Sequence, residues 1–276
     1  MQTVQNQIIL VTGATDGLGR QVVQDLAAQG ATILMHGRRP AKGEAVLQDV
    51  RQSTGNRNLT YYNADLASLD AVRQLCEQLQ AGQARLDVLI NNAGLGPGTR
   101  QSRREQSTDG HELRFAVNYL APYLLTYRLL PLLRRSPAAR IVNVASIGQQ
   151  PIEFDNVMLE DGYDGLRAYR QSKLAQIMFT FDLAGELQES GITVNCLHPA
   201  TLMNTKMVVE TDYFGGGMST VAQGAQAVVY LATAPDPANV TGQFYDGMRP
   251  ARANAQAYDR EARRRLRELS RQLTGL

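Results

Sequence analysis

The sequence has little of what secreted or membrane-spanning proteins rely on. Cysteine occurs only twice in 276 residues, at Cys76 and Cys196, which argues against a disulfide framework and fits a reducing compartment. Both lie in apolar patterns, so we expect them to be buried. No apolar run is long enough to span a bilayer. The first five residues, MQTVQ, lack the charged-then-apolar order of a signal peptide. We therefore expect a cytoplasmic protein with no integral membrane segment.

An excess of charge of either sign is also missing. Lysine and arginine number 28 and aspartate and glutamate 26, so the net charge is +2. No strong field therefore predicts a nucleic-acid partner. The three histidines, His36, His111 and His198, are far apart in the sequence. Because no cluster of Cys, His or Asp stands at metal-ligand spacing, we predict no metal site.

Short apolar segments alternate with amphipathic ones along the whole chain. Strands are predicted at 7–12, 31–36, 58–63, 85–91, 139–145, 193–198 and 243–246, and helices near 17–29, 40–54, 68–81, 108–135, 165–189 and 219–233. This alternation predicts an α/β fold, a single doubly wound parallel sheet of the Rossmann type with helices on both faces. Ligands of such sheets bind beyond the carboxyl ends of the strands. Asn91, Ser146 and Pro199 end three predicted strands and should therefore meet at one edge.

No linker divides the chain, so residues 1–250 are predicted to form one dinucleotide-binding and catalytic domain. Within it, the loop-like stretch 200–218 carries three consecutive glycines at 215–217 and is predicted to be a substrate lid. Residues 251–276 form a basic amphipathic pattern that predicts a helix packed on the domain. Its apolar stripe consists of Tyr258, Ala262, Leu266, Leu269 and Leu273. The alternative is a helix that binds a membrane surface or a partner.

A glycine-rich segment lies near the N-terminus. Residues 12–19 read TGATDGLG, after the apolar stretch 8–11 and before residues with helical spacing. In the order strand, turn and helix, glycines let the backbone approach a pyrophosphate, and the helix N-terminus supplies N–H groups and a positive dipole. We therefore predict that Gly13, Thr15, Asp16, Gly17, Leu18 and Gly19 contact a cofactor. The alternative is a tight turn that binds nothing.

Tyr169 and Lys173 are four residues apart in a predicted helix, so they share one face. An ammonium beside a phenol lowers its pKa towards neutrality. Tyr169 would then be a proton donor or acceptor at physiological pH. Only three lysines occur in the chain, which makes Lys173 stand out further.

Together these motifs resemble the short-chain dehydrogenase/reductase family. The resemblance rests on the TGxxxGxG segment, residues 91–94 (NNAG), Asn118, Ser146 and Tyr169-x-x-x-Lys173, in the family's order and over about residues 8–247. Residues 37–44, GRRPAKGE, further resemble the branch around retinol dehydrogenases and broad carbonyl reductases.

The resemblance implies four catalytic positions, Asn118, Ser146, Tyr169 and Lys173. In the family, the tyrosine delivers the proton and the lysine also holds the nicotinamide ribose. The asparagine anchors a water molecule that links this lysine to solvent. A hydroxyl on Ser146 also suits the chemistry by itself, because hydride transfer to a carbonyl builds negative charge on oxygen, which needs a fixed donor.

The cofactor is predicted to be NADP(H) rather than NAD(H). An NAD site usually has an acid at the end of the second strand, whereas Arg38 and Arg39 stand there in this sequence, and a guanidinium suits a 2′-phosphate. The alternative is a pair of solvated loop arginines. By resemblance, Asp65, Leu66, Asn91, Ala93, Gly94, Tyr169, Lys173, Pro199 and Thr201 also contact the cofactor.

Two features depart from the family pattern. Proline and glycine usually follow the sixth strand, but here Pro199 precedes Ala200. The threonine that follows in the family matches either Thr201 or Thr205. The gap between Ser146 and Tyr169 is also longer than usual, and the extra residues would cover the substrate pocket or alter the helix surface through which many members pair. A homo-oligomer is possible on that resemblance.

We therefore predict an enzyme that transfers hydride between NADP(H) and a carbonyl compound or a primary or secondary alcohol, with Tyr169 as general acid and base. The substrate is expected to be a lipophilic small molecule. An apolar pocket is predicted from Leu95, Phe154, Met203, Met207 and Phe214. The alternative function is a non-catalytic NADP(H)-binding sensor. Association with RNA or membranes through the arginine-rich tail is a third interpretation, which the near-neutral net charge disfavours.

Overall fold

The computed structural model describes residues 4–276. The first three residues, which belong to the predicted domain 1–250 and to the segment MQTVQ, lie outside the described residues. One eight-stranded sheet has the order β3-β2-β1-β4-β5-β6-β7-β8. The strands are β1 (Ile8–Val11), β2 (Thr32–Gly37), β3 (Leu59–Asn63), β4 (Val88–Asn91), β5 (Arg140–Val144), β6 (Thr193–His198), β7 (Phe244–Asp246) and β8 (Arg249–Ala251). The first seven are parallel, which confirms the predicted doubly wound Rossmann fold.

The last strand was not predicted. β8 pairs antiparallel with β7 after a connection in which Gly247 has a φ of +59°. Glycine at the first position of a two-residue connection is typical of a hairpin. The strand has three residues, one of them Pro250, and proline is confined to the edges of sheets. The sequence pattern did not predict β8 because the strand is short and contains this proline.

Helices cover both faces of the sheet. They are α1 (Gly17–Ala28), α2 (Pro40–Thr54), α3 (Leu69–Gly82), α4 (Leu113–Phe115), α5 (Ala121–Leu133), α6 (Gly165–Glu186), α7 (Lys206–Val209), α8 (Val221–Thr233) and α9 (Arg260–Thr274). The aliphatic side chains of α1, α2 and α8 pack on one face, and those of α3, α5 and α6 pack on the other. Alternate residues of each strand contribute to one core or the other, because successive side chains of a strand point to opposite faces.

The long helix predicted near 108–135 is divided in the structure. A π-helical turn, Ala116–Leu120, separates α4 from α5, and the N–H of Ala121 donates to the carbonyl of Ala116. Pro122 follows at the start of α5. A proline inside a regular α-helix has no N–H to donate and clashes with the carbonyl four residues earlier. Widening the turn avoids that clash, and such turns are frequent at functional sites.

The C-terminal segment is less helical than predicted. Residues 251–276 begin in β8 and continue through a 3₁₀ turn, Ala255–Tyr258, and α9 begins only at Arg260, capped by Asp259. In the predicted stripe, Ala262 and Leu266 are buried and pack in the core with α6 residues. Tyr258, by contrast, is 43% exposed. In residues 4–276, no helix combines the length and apolarity needed to cross a membrane.

Candidate active site

The glycine turn between β1 and α1 is too tight for side chains. Gly13 has a φ of +65°, and a Cβ there would lie 2.8 Å from the Cα of Ala93. A Cβ on Gly19 would collide with the Gly13 carbonyl oxygen and with the Asn92 amide. Both positions therefore require glycine, and the turn leaves its backbone open to the cavity above it.

Thr12 and Asn92 hold this turn against the end of β4. The Thr12 hydroxyl accepts hydrogen bonds from the N–H groups of Asn92 at 2.9 Å and Ala93 at 3.0 Å. Asn92 Nδ2 donates in return to the Thr12 carbonyl at 2.8 Å. Asn92 lines the cavity but was not among the predicted site residues, although its place in the NNAG motif is a signal for it.

The N-terminus of α1 also faces the cavity. Asp16 caps this helix, and its carboxylate accepts from the Gly17 N–H at 2.9 Å. The same carboxylate pairs with Lys42 of α2 and, at 3.6 Å, with Lys206 of α7. The Lys42 hydrogen bond holds the pKa of Asp16 below its usual value. Neither lysine was predicted as a site residue. Both line the cavity together with Lys173, so every lysine of this lysine-poor chain does.

Two arginines follow β2 at the cavity's edge. Arg38 and Arg39 are exposed and line the cavity. Within the described part of the chain, neither guanidinium has a hydrogen bond or an ion pair. Their charges are therefore free to meet an anion from the cavity side.

His36 joins the end of β2 to the glycine turn. Its Nδ1 accepts from the Gly13 N–H at 3.4 Å, and its Nε2 lies 3.1 Å from the Ala64 carbonyl oxygen. These partners assign the proton to Nε2. Burial lowers the pKa of His36 to about 4, so the ring is neutral at physiological pH. No role was predicted for His36 from the sequence.

All predicted cofactor contacts except Asn91 line one cavity: Gly13, Thr15, Asp16, Gly17, Leu18, Gly19, Arg38, Arg39, Asp65, Leu66, Ala93, Gly94, Tyr169, Lys173, Pro199 and Thr201. The predicted contact of Asn91 with the cofactor stays a prediction, because only its side chain is turned away from the cavity. Its side chain is buried and donates to Thr126 Oγ1 at 3.1 Å and to Asn143 Oδ1 at 2.8 Å. It points into the core because it is the last residue of β4, and Asn92, one residue later, turns to the cavity.

Ser146 and Tyr169 meet beside Gly148. Ser146 follows β5, and its hydroxyl accepts from the Gly148 N–H at 3.0 Å and lies near the Tyr169 phenol, whose pKa it lowers. A Cβ on Gly148 would lie 3.4 Å from Ser146 Oγ and 3.8 Å from Tyr169 Cε1. A side chain at this position would therefore lie in ordinary van der Waals contact with both hydroxyl-bearing side chains.

Lys173 lies on the same face of α6 as Tyr169. Its Nζ is 5.8 Å from the centre of the Tyr169 ring and donates to the Val144 carbonyl and to Gln176 Oε1, both at 2.9 Å. The side chain is only 3% exposed and both acceptors are uncharged. Burial therefore lowers the pKa of Lys173 to about 7.

The pKa of Tyr169 departs from the prediction that Lys173 lowers it. Burial raises the pKa of the phenol above its usual value of 10, and the Ser146 hydrogen bond only limits that rise. The physical reason is that the phenol is removed from water, while Lys173 Nζ donates its hydrogen bonds to Val144 and Gln176.

Asn118 lies in the π-helical turn and is fully buried. Its Nδ2 donates to the Leu95 carbonyl at 3.0 Å and to Ser172 Oγ at 2.9 Å, and its Oδ1 accepts from the Leu95 N–H at 2.7 Å. The side chain does not line the cavity. It ties the loop after β4 to α6, next to Lys173, and its predicted catalytic role stays a prediction.

The predicted lid, residues 200–218, lies against both sides of the cavity. A Cβ on Gly17 would lie 3.3 Å from Thr205 Cγ2, and one on Gly96 would lie 2.6 Å from Met207 Cγ. The Asp212 carboxylate accepts from the Arg100 N–H at 2.8 Å. Thr201 and Thr205 both line the cavity.

The substrate end of the cavity is built from irregular segments. Leu95, Met203, Met207 and Phe214 line it as predicted, but Phe154 does not. The Phe154 ring instead lies under the Arg265 guanidinium of α9, 4.6 Å from ring centre to Cζ. Buried Arg114, also unpredicted, bonds to the carbonyls of Gly96 at 2.8 Å and Pro97 at 2.9 Å and so fixes the loop after β4.

The whole cavity encloses about 970 Å³, at the upper end of the range of about 300–1,000 Å³ typical of ligand sites. In residues 4–276, no three His, Cys, Asp or Glu side chains form a metal-binding group. A Rossmann sheet, a glycine turn at a helix N-terminus and a serine–tyrosine–lysine cluster in one cavity define a dinucleotide-dependent oxidoreductase.

Comparisons with known proteins agree with this class. The family model for short chain dehydrogenases matches residues 7–213. Human retinol dehydrogenase 13 is 35% identical over 99% of this chain and 86% of its own length. An uncharacterised protein from Mycobacterium paratuberculosis superimposes with a TM-score of 0.80 at 28% identity, covering 98% of this chain and 94% of that protein. A short-chain dehydrogenase from Shigella flexneri, solved in complex with NADP, gives 0.73 at 30% identity, covering 90% and 99%.

The chain belongs to the short-chain dehydrogenase family, and its similarity to retinol dehydrogenases extends over nearly its whole length. It is therefore an oxidoreductase of the class that uses a nicotinamide cofactor.

Proposed function

We propose that the protein reduces carbonyl groups or oxidises alcohols on lipophilic small molecules with NADP(H). The observation that supports this most is the meeting of Ser146, Tyr169 and Lys173 in the cavity that also contains the glycine turn. Similarity to retinol dehydrogenase 13 supports the substrate class, as do the apolar side chains of Leu95, Met203 and Met207 in the cavity lining.

The residues present fit NADP(H). The turn around Gly13 and Gly19 leaves room for a pyrophosphate against the backbone, and the α1 N-terminus favours its charge. Arg38 and Arg39 are unpaired and suit a 2′-phosphate, with Lys42 beside them. The bound cofactor would supply or accept the hydride. The related Shigella flexneri structure in complex with NADP supports this choice.

The catalytic side chains would divide the remaining work. The Ser146 hydroxyl would donate a hydrogen bond to the substrate oxygen, where charge develops. Tyr169 would give or take the proton at that oxygen. Lys173 uses two of its three N–H groups on Val144 and Gln176, which leaves one for the nicotinamide ribose.

We also propose that the protein is cytoplasmic. The two cysteines support this compartment, because both are free and buried.

Calorimetry with NADPH and NADH tests the cofactor choice. We expect the unmodified protein to bind NADPH more tightly and Arg38→Asp to reverse the preference, because a carboxylate repels a phosphate and accepts from a ribose hydroxyl. Arg57→Asp is the matched control, since Arg57 is an exposed arginine outside the cavity. Equal affinity of the unmodified protein for both cofactors would contradict the proposal.

A panel of lipophilic ketones and aldehydes, followed by NADPH absorbance, tests the activity. Turnover of any member separates an enzyme from the alternative, a non-catalytic NADP(H) sensor. Tight NADPH binding with no turnover across the panel and no oxidation of the matching alcohols would favour the sensor.

A further inference from the structure

The C-terminal segment 252–274 lies beyond residues 7–213, which the family model matches, yet it contacts the segment that carries Ser146. The side chain of Gln149 connects the two. Its Nε2 donates to the Ser146 carbonyl at 3.0 Å, and its Oε1 accepts from the Asn254 N–H at 2.7 Å. One amide therefore joins the backbone of the serine to the backbone of the C-terminal segment.

A second amide makes a parallel link three residues further on. Gln256 Oε1 accepts from the Ile152 N–H at 2.7 Å, and Gln256 Nε2 donates to the Ile152 carbonyl at 3.1 Å. Both backbone groups of Ile152 are thus satisfied by one side chain of the 3₁₀ turn. Ile152 is 3% exposed, so losing these bonds would leave buried polar groups unpaired, which costs about 1–3 kcal/mol per group.

The residues that carry these amides are themselves fixed. Asn254 Oδ1 caps the 3₁₀ turn by accepting from the Gln256 N–H at 3.0 Å, and Ala257 of that turn is fully buried in the core. Further along the segment, Ser270 Oγ lies 2.6 Å from the hydroxyl of Tyr119, the neighbour of Asn118. The segment 147–152 has no regular hydrogen-bonded structure of its own, so these contacts hold it from outside.

We propose that the C-terminal segment positions Ser146 for catalysis, with Gln149 and Gln256 as the positioning residues that transmit its support. The inference rests on the proposed role of Ser146 in carbonyl reduction. A catalytic hydroxyl needs placement to a fraction of an ångström, and a displacement of about 1 Å lowers turnover by as much as 100-fold. Neither glutamine lines the cofactor side of the cavity, so cofactor affinity should not depend on them.

The test compares Gln256→Leu and Gln149→Leu with Gln272→Leu, an exposed glutamine of α9 that serves as matched control. We expect kcat to fall roughly 10- to 100-fold in the first two, with the Kd for NADPH changed less than about twofold, and no change in the control. Gln256→Glu keeps the acceptor for the Ile152 N–H and should retain more activity than Gln256→Leu.

Hydrogen exchange provides a readout independent of turnover. Backbone amides of residues 148–152 should exchange faster in Gln256→Leu than in the unmodified protein, while the glycine turn remains protected. Faster exchange with unchanged kcat would overturn the positioning role and leave the proposed function intact. An unmodified protein inactive on every carbonyl would overturn the proposed function itself, and with it the catalytic part of this inference. Equal losses of kcat and NADPH affinity would indicate general unfolding and also overturn it.

Discussion

The two walls of the cavity are built by different means. The cofactor wall consists of strand ends and one tight turn, held by hydrogen bonds of 2.8 to 3.4 Å between Thr12, Asn92 and His36 and their backbone partners. The substrate wall consists of the loop after β4, residues 147–148 and the predicted lid. Arg114 of α4 holds the first, the C-terminal segment holds the second through Gln149, and the contact of Asp212 with Arg100 joins the predicted lid to the loop after β4. The first wall is rigid because regular structure supports it, whereas the second depends on a set of separate tethers.

This difference fits the division of labour in the proposed reaction. A cofactor of fixed shape can be met by a prebuilt turn, whereas a substrate must enter and leave, which favours a wall that moves. Substitutions should therefore act differently on the two walls. A substitution in the cofactor wall should change the affinity for the cofactor and the free energy of unfolding, whereas one in the substrate wall should change kcat.

Tyr169→Phe, at the junction of the two walls, should have the largest effect. The ring keeps its packing while the proposed proton donor is removed, so we expect kcat to fall by about 10²- to 10⁴-fold with NADPH affinity nearly unchanged. Steady-state kinetics and calorimetry on the purified variant measure the two quantities. Near-normal turnover would show that another group delivers the proton.

The cofactor wall was the part that the sequence predicted best. The TGATDGLG turn and the arginines after β2 are local motifs whose neighbours in sequence are also neighbours in space. The Asn91 side chain points into the core because strand residues alternate in direction, and a motif match does not say which of two adjacent asparagines faces the cavity.

The substrate wall could not be predicted in the same way. Arg114 and Gln149 act on backbone groups, and those partners lie in segments without a periodic pattern. The hydrogen bond of Gln149 to Asn254 spans more than a hundred residues. The direction in which the pKa of Tyr169 shifts could not be predicted from the sequence either, because it depends on burial, which spacing along a helix does not reveal.

Gly19→Ala should have the next largest effect, since it tests the rigidity of the cofactor wall. The added methyl meets the Gly13 carbonyl oxygen and the Asn92 amide, so the turn must open. We expect NADPH binding to weaken by at least about tenfold and unfolding free energy to fall by about 1–3 kcal/mol. Calorimetry and chemical denaturation measure both.

Gly185→Ala is the control, since a Cβ at this position in α6 meets nothing within 4 Å. It should leave binding unchanged and stability equal or slightly higher. A Gly19→Ala variant that behaves like this control would show that the turn is not rigid.

Acid should loosen the cofactor wall through His36. The pKa of the folded ring is lowered to about 4 from 6.5, so the unfolded chain takes up a proton first as pH falls. Stability is therefore complete above pH 6.5 and declines between pH 6.5 and 4, by at most about 3 kcal/mol from this group. Denaturation curves across that range should show a shallower decline for His36→Gln, with His111→Gln as matched control. Parallel declines for His36→Gln and the unmodified protein would exclude His36 as the source.

The smallest expected effect concerns the contact that joins the two walls. Lys206 of the predicted lid lies 3.6 Å from Asp16 of the glycine turn, and both side chains are largely exposed, so the pair contributes only about 0.2–1 kcal/mol. Lys206→Gln should therefore speed NADPH release by about two- to fivefold, measured by stopped-flow fluorescence, and Lys206→Arg should speed it less. Arg20→Gln, which breaks the exposed pair with Asp49 on the outside of the cofactor wall, is the matched control. Because the attraction is screened by salt, the difference between Lys206→Gln and the unmodified protein should shrink at high ionic strength. Identical release rates at low salt would mean that the lid is held by the packing of Thr205 and Met207 on Gly17 and Gly96, and the walls would then be joined by shape alone.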